Sequence, residues 1–383
     1  MSRTMTTDAA ERAFVAEMLR SGARGLAADA VNAQSDAQPD IRSRYGDSTF
    51  GGWLSDTEVR IRYLAECVEA DAPDLFAEYA RWSAIAFAAR EVPREDLYEN
   101  LRCITLAIAD RLPRNASTLT GATLATGMAA IETIPPPPPT FLASEQPFIH
   151  IARGFLAMLA DGKARDAAAL LKRAIDDGEM RVPDIYAWVF EPVMREIGRL
   201  WQLNELSVAE EHLISSHVTR LMSQVVQMGG TPDPNGHMLL ALAPPGDLHD
   251  MGLRMVADFF EINGWDVHYL GANVPVQDVA PAVEAVHPDL IAISTSMAVH
   301  LSSLRAAVAS ARTARTQPEP RVLVGGRPFA VMPQLAGYVG ADASAESASA
   351  AVRVGCELVG LETPFSIAPA RDDNAAHPSE PTS

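Results

Sequence analysis

The feature that most restricts the fold of this chain is a change of pattern after Gly229, where short apolar runs begin to alternate with helical stretches. Four runs predict β-strands: Met238–Ala243, Asp266–Leu270, Leu290–Ser294 and Arg321–Val324. Helical patterns lie between or after them, at roughly 250–263, 276–287, 299–315 and 344–359. Apolar strands are typical of a sheet covered on both faces, and strand–helix alternation predicts a parallel, doubly wound sheet. We therefore expect an α/β domain over residues 229–362.

A second domain is predicted over residues 148–228, where the apolar spacing is helical throughout. The four predicted helices are Phe148–Asp161, Ala164–Asp177, Pro183–Trp201 and Ser207–Met228. Gly162, Gly178 and Asn204 separate them, so the connections are short. Short connections between helices predict a four-helix bundle.

Residues 1–134 predict a third, N-terminal helical domain. It begins with an alanine-rich helix, Ala9–Val31, followed by a polar stretch, and helical spacing returns over Trp53–Arg111. Ser55 is a predicted N-cap, with Glu58 completing a capping box. One face of a further helix carries Leu75, Tyr79, Trp82, Ala86 and Phe87. We expect a sensory or dimerisation domain, and the overall fold class is multidomain α and α/β.

Two further segments complete the predicted organisation. Pro135–Pro139 favours polyproline II, which makes residues 135–147 a stiff linker, although a proline-rich ligand for a partner is an alternative. Residues 363–383 are polar and are predicted to be a disordered tail.

The charge and cysteine content narrow the function. Net charge is −18, from 31 basic and 49 acidic residues, whereas phosphate contacts need clustered Lys and Arg. The arginines Arg305, Arg312 and Arg315 predict only a solvated helix face, and direct nucleic-acid binding is not expected. Cys67, Cys103 and Cys356 form no metal pattern and are predicted to be buried thiols. With no evident signal peptide or membrane span, we expect a cytoplasmic protein.

The loop after the first strand carries the candidate chemistry. Its candidate binding residues are Asp247, Leu248, His249, Asp250, Met251 and Gly252. An exposed imidazole at His249 can coordinate a metal through one ring nitrogen, and Asp247 can accept a hydrogen bond from the other. Gly252 would let a bulky group approach the start of the next helix. The alternative is an ordinary loop histidine.

Two further predicted strands also end in candidate ligand-binding residues. The third strand is followed by Ser294, Ser296 and Met297, and the fourth ends in the pair Gly325–Gly326. The hydroxyl groups could simply cap a helix, and the glycines could simply form a turn. All three features, however, lie at carboxyl ends of parallel strands, where α/β folds bind their ligands.

This arrangement resembles the B12-binding domain of methionine synthase, corrinoid methyl-carrier proteins, B12-dependent mutases and CarH-type light sensors. The resemblance implies that His249 is the lower axial ligand of the cobalt in cobalamin, held by Asp247. It also implies that the displaced dimethylbenzimidazole base and its nucleotide tail lie beside Ser294 and Ser296. Gly325 and Gly326 would make room for that tail.

The preceding helices resemble the cap of corrinoid proteins. Trp201, followed ten positions later by Glu211 and His212, is more similar to the CarH group than to the methyl carriers. In that group the tryptophan covers the upper cobalt face, which implies that Glu211 and His212 lie near it. Two departures stand out. Gln202 replaces the histidine that captures cobalt after illumination, and residues 1–134 do not resemble a DNA-binding winged helix.

The predicted function is a cobalamin-dependent sensor, with light as the expected signal and adenosylcobalamin as the favoured cofactor. We expect it to act through a protein partner such as a transcription factor, or through self-association, rather than as an enzyme. A second chromophore, haem or a bilin, could lie in the N-terminal helices. One alternative is a methylcobalamin-carrying corrinoid subunit of a methyltransferase. A mutase, or a flavodoxin-like regulator that has lost its B12 site, fits the sequence less well.

Overall fold

The structure, a computed structural model, describes residues 2–133, 136–230 and 232–362. The predicted disordered tail, 363–383, and the first linker proline, Pro135, lie outside the described residues.

The N-terminal helices pack as one unit around a long alanine-rich helix. They are α1 (Ser2–Ala37), α2 (Ile41–Glu69), α3 (Pro73–Ala88), α4 (Arg94–Arg111) and α5 (Arg114–Ala130). The alanines Ala16, Ala23, Ala27 and Ala30 of α1 are fully buried, and their small side chains let α1 pack directly against α2 and α4. The predicted Ser55 cap is wrong, because α2 already begins at Ile41 and continues through a kink at Gly46, where φ is 73°.

The second group of helices is the predicted bundle, called here the cap. Its helices are α6 (Ile149–Ala160), α7 (Ala164–Asp176), α8 (Val182–Ile185), α9 (Glu191–Gln202) and α10 (Val208–Met228). One helix was predicted where α8 and α9 lie, and the structure joins the two through a π-helical segment, Tyr186–Phe190. Pro192 lies just beyond this segment, as the second residue of α9. A proline lacks the N–H that regular helical bonding requires, which accounts for an irregular turn at this point.

The C-terminal region contains a five-stranded parallel sheet in the order β2-β1-β3-β4-β5. The strands are β1 (Met238–Leu242), β2 (Asp266–Gly271), β3 (Leu290–Ser294), β4 (Arg321–Gly325) and β5 (Ala343–Ala345). The helices are α11 (Met251–Ile262), α12 (Val276–Val286), α13 (Leu301–Ala311), α14 (Arg327–Val331), α15 (Leu335–Val339) and α16 (Ala348–Val359). This is the flavodoxin-like strand order, and it confirms the predicted fold class. Helix was predicted from residue 344, but β5 occupies that position and α16 begins only at Ala348.

The predicted linker, residues 135–147, is hydrogen-bonded to the cap near its carboxyl end. The backbone N–H of Phe141 donates to Glu196 of α9 at 2.8 Å, and Arg153 of α6 donates to the carbonyl of Leu142 at 2.7 Å. Leu142 is also buried against the cap core. The predicted linker therefore ends as part of the cap surface rather than as a free spacer.

The N-terminal helices also contact the sheet region directly. The carboxylate of Glu66 accepts hydrogen bonds from the N–H and the hydroxyl of Ser302, at 2.8 and 2.9 Å. Arg305 donates to Glu69 and to the hydroxyl of Tyr338. The prediction that Arg305 lies on a purely solvated face is therefore wrong, since its guanidinium group joins two parts of the molecule. Among the described residues, no helix is both long and apolar enough to cross a bilayer.

Candidate functional site

The candidate residues gather where the strand order changes direction, at the carboxyl ends of β1 and β3. β1 pairs with β2 on one side and with β3 on the other. The chain leaving β1 and the chain leaving β3 therefore diverge to opposite faces and open a crevice, which is where doubly wound sheets bind ligands. The loop 243–250 and the segment 294–297 form the two walls of this crevice.

His249 projects from the first wall with most of its side chain, 66%, exposed to solvent. Its Nδ1 lies 3.3 Å from Oδ1 of Asp247, and Asp247 is fully buried. The same carboxylate oxygen accepts a hydrogen bond from the backbone N–H of His249 at 3.0 Å. A carboxylate that holds Nδ1–H leaves Nε2 as the nitrogen that can coordinate a metal.

Asp247 is in turn held by the second wall of the crevice. Its Oδ2 accepts a hydrogen bond from the hydroxyl of Thr295 at 2.8 Å and one from the N–H of Ser296 at 2.7 Å. Burial opposes ionisation of this carboxyl, but hydrogen bonds from His249, Ser296 and Thr295 outweigh it and lower the pKa of Asp247 to about 2. The residue is therefore a buried, fixed anion at neutral pH.

The electrostatics of His249 follow from this anion. The hydrogen bond to Asp247 raises the pKa of His249, and the carboxylates of Glu211 and Asp250 add to the shift. Glu211 belongs to the first turn of α10, so the cap reaches the electrostatic neighbourhood of His249. A capping box fixes the start of that helix, because Ser207 and Glu210 each bond the other's backbone N–H.

The remaining loop residues have different surroundings. Leu248 is 71% exposed beside His249, whereas Asp250 accepts a hydrogen bond of 2.8 Å from Tyr269 of β2. The hydroxyl of Ser296 donates to the carbonyl of His249 at 3.1 Å, and Met297 is half-buried. The loop is therefore tied to both neighbouring strands while its apolar tip stays open.

A cavity of about 320 Å³ extends from this crevice between the sheet and the cap. Of the predicted site residues, Met251, Gly252, Ser294, Gly325 and Gly326 line it. A Cβ added to Gly252 would meet no protein atom within 4 Å. The fold itself therefore does not require a glycine here, and the open space is available to a ligand.

At Gly326, the structure gives a different reason for a glycine from the predicted one, which was room for the cofactor's tail. Gly326 has a φ of 102°, and a Cβ there would lie 1.9 Å from the carbonyl oxygen of Thr295. A Cβ on Gly325 would lie 3.2 Å from the carbonyl oxygen of Ala345. The protein backbone thus excludes a side chain at Gly326 by itself, whatever the cavity holds.

The predicted upper-face residues divide into two sets. Glu211 lies near His249, and the exposed His212 contacts Glu211 through Nδ1. Trp201 instead stacks on Trp82 of α3, with ring centroids 5.8 Å apart. The buried side chain of Gln202 donates to the carbonyl of Trp82 at 3.1 Å. The cap corner at Trp201 and Gln202 is therefore held by the N-terminal helices, and roles for these residues at the cobalt stay predictions.

Two parts of the chain match sequence profiles of B12 binding domains. A profile of the B12 binding domain matches residues 238–353, and a second B12 binding domain profile matches residues 151–225. Dimethylamine corrinoid protein 1 of Methanosarcina mazei is 32% identical over 168 residues, which are 43% of this chain and 77% of that protein. The chain belongs to the family of B12-binding proteins.

Two further matches are with one named repressor and one solved structure. The HTH-type transcriptional repressor CarA of Myxococcus xanthus is 34% identical over 125 residues, 32% of this chain and only 41% of the repressor. The chain therefore matches less than half of that relative's length. The structure of the monomethylamine corrinoid protein of Methanosarcina barkeri superposes with a TM-score of 0.48 at 20% identity, covering 55% of this chain and 98% of that one.

The residues present fit a cobalamin. A corrin ring supplies its own nitrogens to cobalt, so the protein needs to provide only one axial ligand, and a lone imidazole is enough. His249 with its fixed Asp247 would provide the axial nitrogen, and the cavity beside Gly252 and Ser294 would hold an extended tail.

Sequence reasoning missed two residues of this site. Thr295 lies within the hydroxyl-rich segment, but only the fold brings its side chain to Asp247. His300 is half-buried, and its ring lies 3.1 Å from where a Cβ of Gly246 would stand. Burial lowers the pKa of His300 and thus favours the neutral form of this second imidazole. No spacing in the sequence links either residue to His249.

Proposed function

We propose that this B12-binding protein is a sensor in which the N-terminal helices respond to the ligand on the upper face of cobalt. Light is the proposed signal and adenosylcobalamin the proposed cofactor. When bound, alkylcobalamins supply a carbon–cobalt bond that light breaks, and the loss of that group would free the space beside the cap.

The observation that carries the proposal is the position of the N-terminal helices, which contact both the cap and the sheet region. On the cap they hold Trp201 and Gln202 through Trp82 and Arg90. On the sheet region, Glu66 binds Ser302, close in sequence to the Thr295–Ser296 segment that anchors Asp247. A movement of the cap relative to the sheet would therefore change one of these contacts.

This arrangement favours a sensor over a carrier subunit. A methyl carrier must present its upper cobalt face to the active site of another enzyme, which requires a cap corner that can separate freely. Here the chain's own helices bind that corner with three hydrogen bonds and an aromatic stack. Such a contact can exist in a closed and an open state, and a ligand that favours one of them would shift the equilibrium between the two.

The second candidate is a corrinoid subunit that carries a methyl group within a methyltransferase system. The relatives named dimethylamine corrinoid proteins support it, since their match extends over most of their own length. Under this alternative the N-terminal helices would leave the cap corner when a methyltransferase binds.

A partner, a location and a second cofactor also belong to the proposal. The named repressor among the relatives supports action on transcription through a protein partner, or through self-association. A cytoplasmic location stays a prediction. A haem or bilin in the N-terminal helices stays a prediction as well, and the absorption spectrum of protein purified without added cobalamin tests it.

The deciding experiment reconstitutes the full chain with adenosylcobalamin or methylcobalamin in the dark and records absorption and hydrodynamic radius before and after green light. A sensor should prefer the adenosyl form and change its radius or assembly after illumination. A bound cofactor with no preference and no light-dependent change in radius would move the assignment to the methyl carrier. Absence of any bound cobalamin would overturn both candidates.

A further inference from the structure

The carboxyl end of α9 is held by a residue from another part of the chain. Arg90, which follows α3, donates hydrogen bonds of 2.9 Å to the carbonyls of both Trp201 and Gln202. The last carbonyls of a helix lack partners within the helix and carry partial negative charge, so a guanidinium group is a favourable partner there. A third hydrogen bond, to the carbonyl of Ala86, fixes Arg90 against the end of α3.

The aromatic contact at the same corner is also shared between the two regions. Trp82 and Trp201 stack with an interplanar angle of 23°, and the Arg90 guanidinium lies 5.3 Å from the Trp201 ring centroid. Gln202 returns a hydrogen bond to the carbonyl of Trp82. The ring of Trp201 is thus placed by α3 and Arg90 as well as by its own helix.

We infer that Trp82 is a positioning residue for Trp201 and thereby contributes to the preference of the bound cobalamin for one upper ligand. The inference rests on the proposed function, because it assumes that Trp201 lies against the upper ligand. If Trp201 selects the adenosyl group by its position, the residue that fixes this position contributes to the selection without touching cobalt. Trp82 is 39% exposed, so its truncation removes the stack with little loss of core packing.

The test is a dark titration of the full chain with adenosylcobalamin and methylcobalamin, followed by absorption. Trp82→Ala should lower the preference for the adenosyl form by about threefold to tenfold, the effect expected of one aromatic pair. Trp82→Phe, which keeps an aromatic ring, should retain part of the preference for the adenosyl form. The control is Tyr98→Ala, which removes another exposed aromatic residue of the N-terminal helices and should leave the preference unchanged.

A double variant separates positioning from general destabilisation. If Trp82 acts through Trp201, then Trp82→Ala should have no further effect on the adenosyl preference once Trp201→Ala is present. Additive losses would show that Trp82 acts by another route and would overturn the inference.

A second readout uses the protein without cobalamin. Two stacked indoles couple in near-ultraviolet circular dichroism, so Trp82→Ala and Trp201→Ala should each remove the same band. A wild-type protein with no adenosyl preference would count against the proposed function. A clear wild-type preference that Trp82→Ala and Trp82→Phe both leave intact would overturn this inference alone.

Discussion

The hydroxyl of Thr295 donates a hydrogen bond of 2.8 Å to the carboxylate of Asp247, and both side chains are fully buried. This contact ties the end of β3 to the loop that carries His249. His249, the proposed lower ligand, is therefore not oriented by its own loop alone, since the anion that holds its ring is fixed from a neighbouring strand.

Thr295→Val should weaken cobalamin binding while preserving the shape of the site. The substitution removes one donor to a buried carboxylate, which costs about 1–3 kcal/mol of folding free energy. We expect a lower unfolding midpoint in denaturant and weaker retention of cobalamin on gel filtration. Thr118→Val, at an exposed threonine of α5, is the matched control and should change neither. Normal retention by Thr295→Val would show that Asp247 does not need this donor.

Gly252→Ala separates a ligand requirement from a fold requirement. Because a Cβ would meet no protein atom there and alanine favours helices over glycine by about 1 kcal/mol, the free energy of unfolding should stay equal or rise. Cobalamin binding should nevertheless fall, since the added methyl group projects into the proposed ligand space. Gly25→Ala in α1, also in open space, should stabilise without affecting binding. Unchanged affinity in Gly252→Ala would mean that the cofactor does not approach this helix.

The burial of Glu66 at its contact with Ser302 predicts a pH-dependent stability. Burial raises the pKa of Glu66 to about 7, against the effects of Arg20 and Ser302. Between its ordinary value of 4.5 and 7, the folded protein holds this proton more tightly than the unfolded chain does. The contribution of Glu66 to stability should therefore fall as pH rises through this window and stay level above it.

Glu66→Gln should remove that slope, with a difference on the order of 3 kcal/mol between the ends of the window. Denaturant unfolding of both proteins from pH 5 to 8 measures it. Glu357→Gln, at an exposed ion pair with Arg353, is the control and should run parallel to wild type. Parallel curves for Glu66→Gln and wild type would contradict a raised pKa at this interface.

Much of the architecture follows from sequence pattern because its signals are local. The apolar runs at β1, β3 and β4 are long enough to be recognised, and they fix the parallel sheet and the positions of the loops at its edge. The strand β5 has only three small, half-buried residues, Ala343–Ala345, so no periodicity distinguishes it from the helix that follows. The start of α2 was missed because its polar beginning resembles a loop.

The candidate site was predictable only where its residues are close in sequence. His249 and Asp247 are two positions apart, and their relation can be inferred from residue chemistry. Thr295 reaches Asp247 only because β1 and β3 are neighbours in the sheet. The stack of Trp82 on Trp201 joins residues separated by more than one hundred positions, and neither local spacing nor composition carries information about such a contact.

His249→Ala should abolish or greatly weaken cobalamin retention, because no other described imidazole shares its contact with Asp247. Asp247→Asn should keep the cofactor but loosen it, since the amide retains one acceptor and loses the charge. Equilibrium dialysis against hydroxocobalamin measures both. Wild-type retention by His249→Ala would sink the assignment of the lower ligand.

The central claim, that His249 binds cobalt, is tested most directly by electron paramagnetic resonance of the protein reconstituted with cob(II)alamin. The axial nitrogen splits the cobalt signal, and the pattern depends on which nitrogen isotope it carries. With histidine labelled by the heavy isotope, we predict that the triplet of the unlabelled protein becomes a doublet. A triplet that persists in the labelled protein would show that the cofactor's own base, rather than a histidine, occupies the axial position.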